Sequence, residues 1–146
     1  MRLLTHNILI CVKKSCTDNY PLILSDIDDI ELTNDIILDD NNEEKSTPEE
    51  ILQAINFIKR TLNNINYDVF YKTIDEQLKI NDHNLPNIDE YNNMNIQQLD
   101  NNTLLNIRRL LMNIHIQNAK LKCPGCERIY KIQQGIPNMR LREDEV

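Results

Sequence analysis

The chain has 146 residues, the usual size of one domain or of a small domain that carries an inserted one. Apolar residues make up 40% of the chain and charged residues 27%, which is enough for a soluble globular core although Trp is absent. The net charge of -7 argues against a protein that binds nucleic acid without a partner, because phosphate contacts need a surplus of Lys and Arg. We therefore expect RNA contact only indirectly, through a complex.

The chain opens with a segment of strand-forming residues, and the sequence predicts a β-strand over residues 3–12. This strand leads into a short loop with a cysteine at each end, Cys11 and Cys16. Polar residues interrupt the apolar start before a signal-peptide core forms, and no later stretch approaches the ~18 apolar residues of a membrane span. We therefore expect a protein of the cytoplasm and nucleus with no membrane association.

An acidic segment follows Tyr20 and Pro21. Ile and Leu mix with Asp and Glu over residues 22–38, which predicts one or two strands with solvated acidic faces. The acidic run continues to Asp39 and Asp40. We interpret it as a solvated surface rather than a calcium site, because the ligand spacing and the turn glycine of a calcium loop are absent from the sequence.

Three amphipathic helices are predicted in the centre of the chain. After a polar linker at residues 41–46, Thr47-Pro48-Glu49-Glu50 has the pattern of a helix start, with a capping box and a proline in the first turn. Apolar residues spaced by three or four predict this helix, a shorter one over residues 67–79 and a third from about residue 100 to residue 113, with a polar loop at residues 81–95. The predicted buried positions are Ile51, Ile55, Ile58, Leu62, Ile65, Phe70, Ile74, Leu78, Leu104, Ile107, Leu111 and Ile114.

The pattern changes to short alternating runs after residue 114, which predicts a strand, a cysteine turn and a second strand. The expected fold class is α+β. A small zinc-binding, β-rich domain with a zinc-ribbon-like knuckle would be built from both chain termini, residues 1–40 and 114–146, and residues 41–113 would form a central helical insertion domain. If the cysteines hold one ion, that ion joins one end of the chain to the other.

The four cysteines form two pairs whose spacing suits a metal site. Cys123 and Cys126 are separated by two residues, and a turn of this length points both sulfurs at one ion. Cys11 and Cys16 are separated by four residues. Zn²⁺ favours four thiolates in a tetrahedron, which leaves no open position for water or substrate, so we predict a structural Zn²⁺ ion. In a reducing compartment such cysteines are metal ligands or redox groups more often than disulfides.

Three other interpretations stay open from the residues alone. The cysteines could be independent buried residues, or the chain could be a zinc-ribbon protein that binds RNA. The Cys-Pro-Gly-Cys motif also resembles the active site of glutaredoxin-like thiol-disulfide redox enzymes, in which the first thiolate lies at a helix N-terminus. Here the alternating residues 129–132 follow the motif, which favours a turn between two strands. His6 could be a spare ligand, although four thiolates already complete the site.

Glycine and histidine usage argues against an enzyme. The chain has only two glycines, Gly125 and Gly135, so it has neither a dinucleotide-binding fingerprint nor a phosphate-binding loop. Its three histidines, His6, His83 and His115, are scattered, and no grouping of Ser, His and acidic residues matches a nucleophile motif. We predict no catalytic residue and no nucleotide-type cofactor bound by the chain itself.

Both ends of the chain carry longer motifs. Residues 1–7 read MRLLTHN, residues 20–24 read YPLIL, and residues 121–139 contain the spaced pattern LxCPxCxRxYxIxxGIPNM. These motifs resemble the multifunctional methyltransferase subunit family, whose members are also called tRNA methyltransferase 112 homologues. The sequence departs from the family pattern at Glu127, where Gly is usual, and at Asn118-Ala119, where a Glu-Gly turn is usual.

The resemblance implies a two-part fold, with a zinc-binding domain made from both termini and a central helical domain, and no catalytic activity in the chain itself. It implies an activating and stabilising subunit that forms heterodimers with several S-adenosylmethionine-dependent methyltransferases, which modify tRNA, rRNA and a translation release factor. The S-adenosylmethionine would be bound by the partner. For the following residues the resemblance favours a partner contact over a role in the domain's own core: Gly135, Ile136, Pro137, Asn138 and Met139.

Overall fold

The two ends of the chain form one four-stranded antiparallel sheet in the computed structural model, which describes residues 1–36 and 46–145. The strands lie side by side in chain order: β1 (Ile23–Leu32), β2 (Ile114–Lys122), β3 (Ile129–Gln133) and β4 (Ile136–Pro137). The strand, turn and strand predicted after residue 114 are confirmed, as is a strand within residues 22–36. The acidic run at Asp39 and Asp40 and the linker at residues 41–45 lie outside the described residues.

The strand predicted over residues 3–12 is wrong, because Leu3–Ile8 form a helix, α1. Its buried residues are Leu3, His6 and Asn7, which share one helix face. His6 Nε2 lies 2.6 Å from the carbonyl oxygen of Leu22, and Asn7 is hydrogen-bonded to both backbone groups of Asn66. A strand would turn His6 and Asn7 to opposite faces, so these tertiary contacts override the strand-forming composition.

The first two predicted helices are present. α2 (Pro48–Leu62) begins with the predicted capping box: Thr47 Oγ1 accepts the N–H of Glu50 at 3.2 Å, and Glu50 Oε1 accepts the N–H of Thr47 at 3.1 Å. α3 (Tyr67–Lys72) continues as a π-helical turn, Thr73–Gln77. The second predicted helix therefore changes its hydrogen-bonding pattern before it ends.

The segment predicted as a loop at residues 81–95 is partly helical, because it contains α4 (Ile88–Asn92). Asn87 and Glu90 form a capping box at its start, a local signal that the many asparagines of this segment obscured. The third predicted helix is confirmed as α5 (Asn101–Met112), and the side chain of Asp100 caps its N-terminus.

One face of the sheet packs against the helices, and the other is open. Buried residues from sheet and helices form one cluster, in which the largest fully buried side chains are Leu3, Leu22, Ile58, Phe70, Ile74, Leu104, Ile107, Leu111, Ile116, Leu121, Tyr130 and Ile132. Three predicted core positions, Ile51, Ile65 and Leu78, are only partly buried. The division into two domains stays a prediction. Within residues 1–36 and 46–145, no helix combines the length and apolar character that crossing a membrane requires.

Candidate metal centre and partner surface

Two loops from opposite ends of the chain carry the cysteines. In the first loop, the Cys11 N–H donates to the carbonyl oxygen of Asn19 at 2.9 Å. In the second, between β2 and β3, the Cys123 N–H donates to the carbonyl oxygen of Arg128 at 2.9 Å. The second loop is followed by β3 and not by a helix, so Cys123 lacks the helix N-terminus that activates a glutaredoxin-like thiol.

The four sulfur atoms lie within 4.8 Å of one another. The Sγ atoms of Cys11 and Cys126 are 3.6 Å apart, and those of Cys16 and Cys123 are 3.4 Å apart. A tetrahedron with Zn–S bonds of about 2.3 Å requires sulfur separations of about 3.8 Å, whereas a disulfide requires about 2.05 Å. The thiols are free. The fold thus brings all four predicted ligands into a group that could bind one metal ion.

Gly125 lets the two loops approach each other. A Cβ atom at this position would lie 2.5 Å from the backbone oxygen of Asp18, in the first loop, which is closer than real Cβ atoms come to other atoms. The same oxygen lies 3.7 Å from the sulfur of Cys123. The absence of a side chain at position 125 is therefore a steric requirement of the cysteine cluster.

The residues predicted to contact a partner begin in a tight turn after β3. Gln134 and Gly135 form this two-residue turn with φ values of +51° and +78°. Such turns need the left-handed backbone conformation, which glycine adopts without strain. The Gly135 N–H donates to the carbonyl oxygen of Gln117 at 2.9 Å, which holds the turn against β2.

The predicted partner residues lie on two different faces of the sheet. Pro137 pairs with the buried Ile132, so Pro137 and Met139 lie on the core side, and Met139 packs partly against the core cluster. Ile136 and Asn138 lie on the open face, and Ile136 is 70% exposed. By position, the core role considered for this group fits Pro137 and Met139. Partner contact stays a prediction, and Ile136 and Asn138 are the members exposed for it.

Known proteins resemble the chain along nearly its whole length. Residues 2–135 match the family model described as Trm112p-like protein. The chain belongs to this family. It is 26% identical to multifunctional methyltransferase subunit TRM112 homolog B of Arabidopsis thaliana and 27% identical to multifunctional methyltransferase subunit trm112 of Schizosaccharomyces pombe, each over 146 residues and 100% of both chains. The resemblance inferred from the terminal motifs is confirmed.

A solved structure is also similar to this Trm112p-like chain. It is a chain of the E. cuniculi Mtq2–Trm112 complex, which is described as responsible for the methylation of the eRF1 translation termination factor. The match has a TM-score of 0.45 and 17% sequence identity, and it covers 95% of this chain and 94% of that one.

The cysteines of this Trm112p-like chain differ in how readily their thiols ionise. Burial and the neighbouring Cys123 and Cys126 raise the pKa of the Cys16 thiol to about 12. Burial also disfavours the Cys123 thiolate, but the backbone N–H groups of Cys126 and Gly125 outweigh burial and lower the pKa of Cys123 to about 7. The Cys123 thiolate therefore forms readily, and its negative charge disfavours ionisation of Cys16. A bound cation would offset the repulsion between the two negative charges.

Tyr130 contacts the cluster, although the sequence reasoning assigned it no role. Its Oη lies 3.0 Å from the sulfur of Cys11 and accepts the N–H of Val12 at 3.2 Å. Burial raises the pKa of Tyr130 to about 12, so the hydroxyl stays protonated and can donate to a thiolate. The available signal was its position four residues after Cys126 in the C-terminal motif.

The histidines lie apart from the cysteine cluster. His6, considered as a spare ligand, is 2% exposed and hydrogen-bonded to the carbonyl oxygen of Leu22. Burial lowers the pKa of His6, so its neutral ring donates to that carbonyl. His83 and His115 contact Asp75 and Thr33 respectively. In the described part of the chain, the group of possible metal ligands consists of the four cysteines.

Proposed function

We propose that the chain is a non-catalytic subunit that activates and stabilises S-adenosylmethionine-dependent methyltransferases acting on tRNA, rRNA and a translation release factor. Each complex is a heterodimer, and the S-adenosylmethionine is bound by the partner. The observation that carries the proposal is the match to the Trm112p-like family over residues 2–135, supported by full-length relatives named as multifunctional methyltransferase subunits.

Zn²⁺ is the ion that we propose for the cysteine cluster. Thiolates suit Zn²⁺, whereas Mg²⁺ and Ca²⁺ prefer oxygen ligands. Four sulfurs complete a tetrahedron and leave no coordination position for a substrate, which supports a structural role. Because the two cysteine pairs come from opposite ends of the chain, the free energy of binding the ion contributes to the free energy of folding.

The outer edge of β4, the last strand in the sheet order, is the proposed docking site for a strand of the partner. The opposite edge of the sheet, at β1, is partly covered, because the Leu24 N–H donates to Gln77 Oε1 at 2.8 Å. Exposed acidic residues of β1 such as Asp28 and Asp29 also discourage strand addition. At β4, the exposed Ile136 places an apolar contact beside the main-chain groups of the edge that faces away from β3, a combination that strand addition uses.

The outer side of this edge favours a parallel partner strand. The Asn138 N–H donates inward to the carbonyl oxygen of Lys131, so alternation directs the C=O of Pro137 and the N–H of Met139 outward. Pro137 has no N–H, and an antiparallel strand opposite it would lose a hydrogen bond. One residue of a parallel strand can instead donate to Pro137 and accept from Met139.

Co-expression tests the proposed function. The chain is produced together with each candidate methyltransferase of the same organism. Solubility of the enzyme, co-purification and methyl transfer are measured with and without the chain. We expect at least one methyltransferase to become soluble and active only in the presence of this chain. If no methyltransferase associates with it, the proposed function is wrong.

Ile136→Asp tests the proposed contact. In the complex, a carboxylate at this position would lose its hydrating water without gaining an opposite charge or a hydrogen-bond donor. Co-purification should therefore be lost, while the free chain stays folded because the position is exposed. Leu52→Asp is the matched control, because Leu52 is 57% exposed but lies on α2, away from the sheet edge. If both variants bind like the wild type, the docking site is elsewhere.

A further inference from the structure

The segment after β4 folds back onto the second cysteine loop. Glu145 lies in a 3₁₀ turn, Glu143–Glu145, and its side chain is only 11% exposed. Its carboxylate accepts from Nε and Nη2 of Arg128, a side chain that is 16% exposed, and from the backbone N–H and Nε of Arg142. The carboxylate of Glu145 is thus held by four hydrogen bonds, two of them from the planar fork of Arg128.

Arg128 connects this carboxylate to the cysteine cluster in two ways. Its guanidinium stacks over the ring of Tyr130, with Cζ 4.3 Å from the ring centroid, and the hydroxyl of Tyr130 reaches the sulfur of Cys11. Its carbonyl oxygen accepts the N–H of Cys123, which closes the second cysteine loop. Arg128 is therefore linked to Cys11 through its side chain and to Cys123 through its backbone, so one residue affects cysteines from both ends of the chain.

We propose that Arg128 and Glu145 are positioning residues that determine how slowly the cysteine cluster releases its metal ion. The paired guanidinium holds the Tyr130 ring against Cys11. It also fixes the position of Arg128, whose backbone carbonyl oxygen accepts the N–H of Cys123 and closes that loop. Without the Glu145 carboxylate, Arg128 loses two charge-assisted hydrogen bonds, and the ring and the loop gain freedom to move away from the ion. Residues that orient metal ligands in this way change metal affinity by about 10–100-fold when they are removed.

The test measures the release of Zn²⁺ from the full-length chain to an excess of a coloured chelator. Glu145→Gln removes the charge of the carboxylate and keeps its shape. Asp144→Asn makes the same charge change one residue away, at a side chain that is 76% exposed and 3.8 Å from Arg142. We expect about tenfold faster release from Glu145→Gln and less than about twofold change from Asp144→Asn. Arg128→Lys keeps the positive charge but loses the planar guanidinium that donates two parallel hydrogen bonds, so this variant should also release Zn²⁺ faster.

The control measurements separate positioning from general stability. Urea unfolding of the metal-free chains should differ little between Glu145→Gln and the wild type, because the proposed effect acts on the metal-bound state. Co²⁺-loaded Glu145→Gln should keep the absorption bands of four-thiolate coordination. Equal release from Glu145→Gln and Asp144→Asn, or wild-type release from Arg128→Lys, would overturn the proposal. So would faster release from Glu145→Gln matched by an equal loss in the free energy of unfolding of its metal-free chain. The inference rests on the proposed Zn²⁺ centre, and a wild-type chain that binds no Zn²⁺ would overturn both.

Discussion

At Glu127, the residue after the last cysteine, the backbone has a φ of +62°, in a region that costs roughly 1–2 kcal/mol for a residue with a Cβ atom. The conformation is needed because the Glu127 N–H closes the loop by donating to the carbonyl oxygen of Cys123 at 3.1 Å. The ion pair of Glu127 with Lys122 is 3.9 Å long and exposed on both sides, so it offsets little of this strain. Glycine, the usual residue of the family pattern, would adopt the same turn without the strain.

Glu127→Gly should therefore stabilise the chain by about 1 kcal/mol, although glycine destabilises most positions. The measurement is the midpoint of urea unfolding with the metal bound. Glu127→Ala is the control, because it removes the same carboxylate but keeps the Cβ atom and hence the strain. Equal effects of the two variants would show that the charge, and not the backbone conformation, is responsible.

Between elements, side-chain amides connect the helices to the sheet-forming ends of the chain. Asn7 on α1 donates to the carbonyl oxygen of Asn66 at 2.8 Å and accepts its N–H at 2.9 Å, immediately before α3. Gln77, at the end of the π-helical turn, accepts the N–H of Leu24 on β1. These contacts satisfy backbone groups at positions where no neighbouring strand or helix could do so.

Asn7→Asp should destabilise the chain by about 1–3 kcal/mol, because the new carboxylate cannot donate to the Asn66 carbonyl oxygen and is buried against it. Urea unfolding at neutral pH measures the loss. The matched control is Asn64→Asp, the same substitution at an exposed residue that also donates to a backbone carbonyl. A control that is destabilised as much as Asn7→Asp would contradict this role for Asn7.

An ion pair joins the segment after β1 to α5. Arg108 donates to both carboxylate oxygens of Asp35, at 2.9 and 2.8 Å, and Asn113 donates to one of them at 3.0 Å. The hydrogen bonds from Arg108, more than those from Asn113, hold the pKa of the Asp35 carboxyl well below its usual value. A lowered folded-state pKa means that this contribution to stability is complete above the unfolded-state pKa and is lost as the pH falls below it.

Acid unfolding should reveal this contribution. The free energy of unfolding should start to fall as the pH drops below about 4, and Asp35→Asn should remove part of that dependence. The effect should stay below about 1 kcal/mol, since Asp35 is 52% exposed and solvent weakens the pair. Asp28→Asn, at an exposed residue of β1, is the control. If both variants show the same pH dependence, the Asp35–Arg108 pair does not contribute.

In the whole molecule, the cysteine cluster brings the two ends of the chain together, and the proposed ion would cross-link them. Cys11 and Cys126 are 115 positions apart, and their sulfurs lie side by side. The same two ends supply the strands of the sheet and, through α1, part of the core beneath it. Loss of the metal should therefore weaken the fold as a unit and not only the cysteine loops.

Removal of the metal by a strong chelator should lower the free energy of unfolding by several kcal/mol, with recovery when Zn²⁺ is added back. Cys16→Ser should reproduce the loss without chelator, because three thiolates hold the ion less tightly. Circular dichroism during urea unfolding, with the metal content of each sample measured, provides the readout. An unchanged unfolding curve after confirmed metal loss would contradict a structural role for the ion.

Local patterns in the sequence determined the features that depend on neighbouring residues. The two cysteine pairs were recognised from their spacing, and the start of α2 from Thr47 and Glu50. Helical and alternating periodicity predicted α5, β2 and β3. Each of these features arises from interactions within a few residues of the chain, so one sequence was sufficient to predict them.

Tertiary structure decided the features that depend on distant residues. The first segment became α1 because His6 and Asn7 bind backbone groups of Leu22 and Asn66. The register of β4 divides the predicted partner residues between two faces of the sheet. The close approach of the two cysteine loops makes glycine at position 125, against Asp18, a steric requirement. Contacts between residues far apart in the chain leave no periodic trace in the sequence, because the register and the packing that create them form only when the whole core folds.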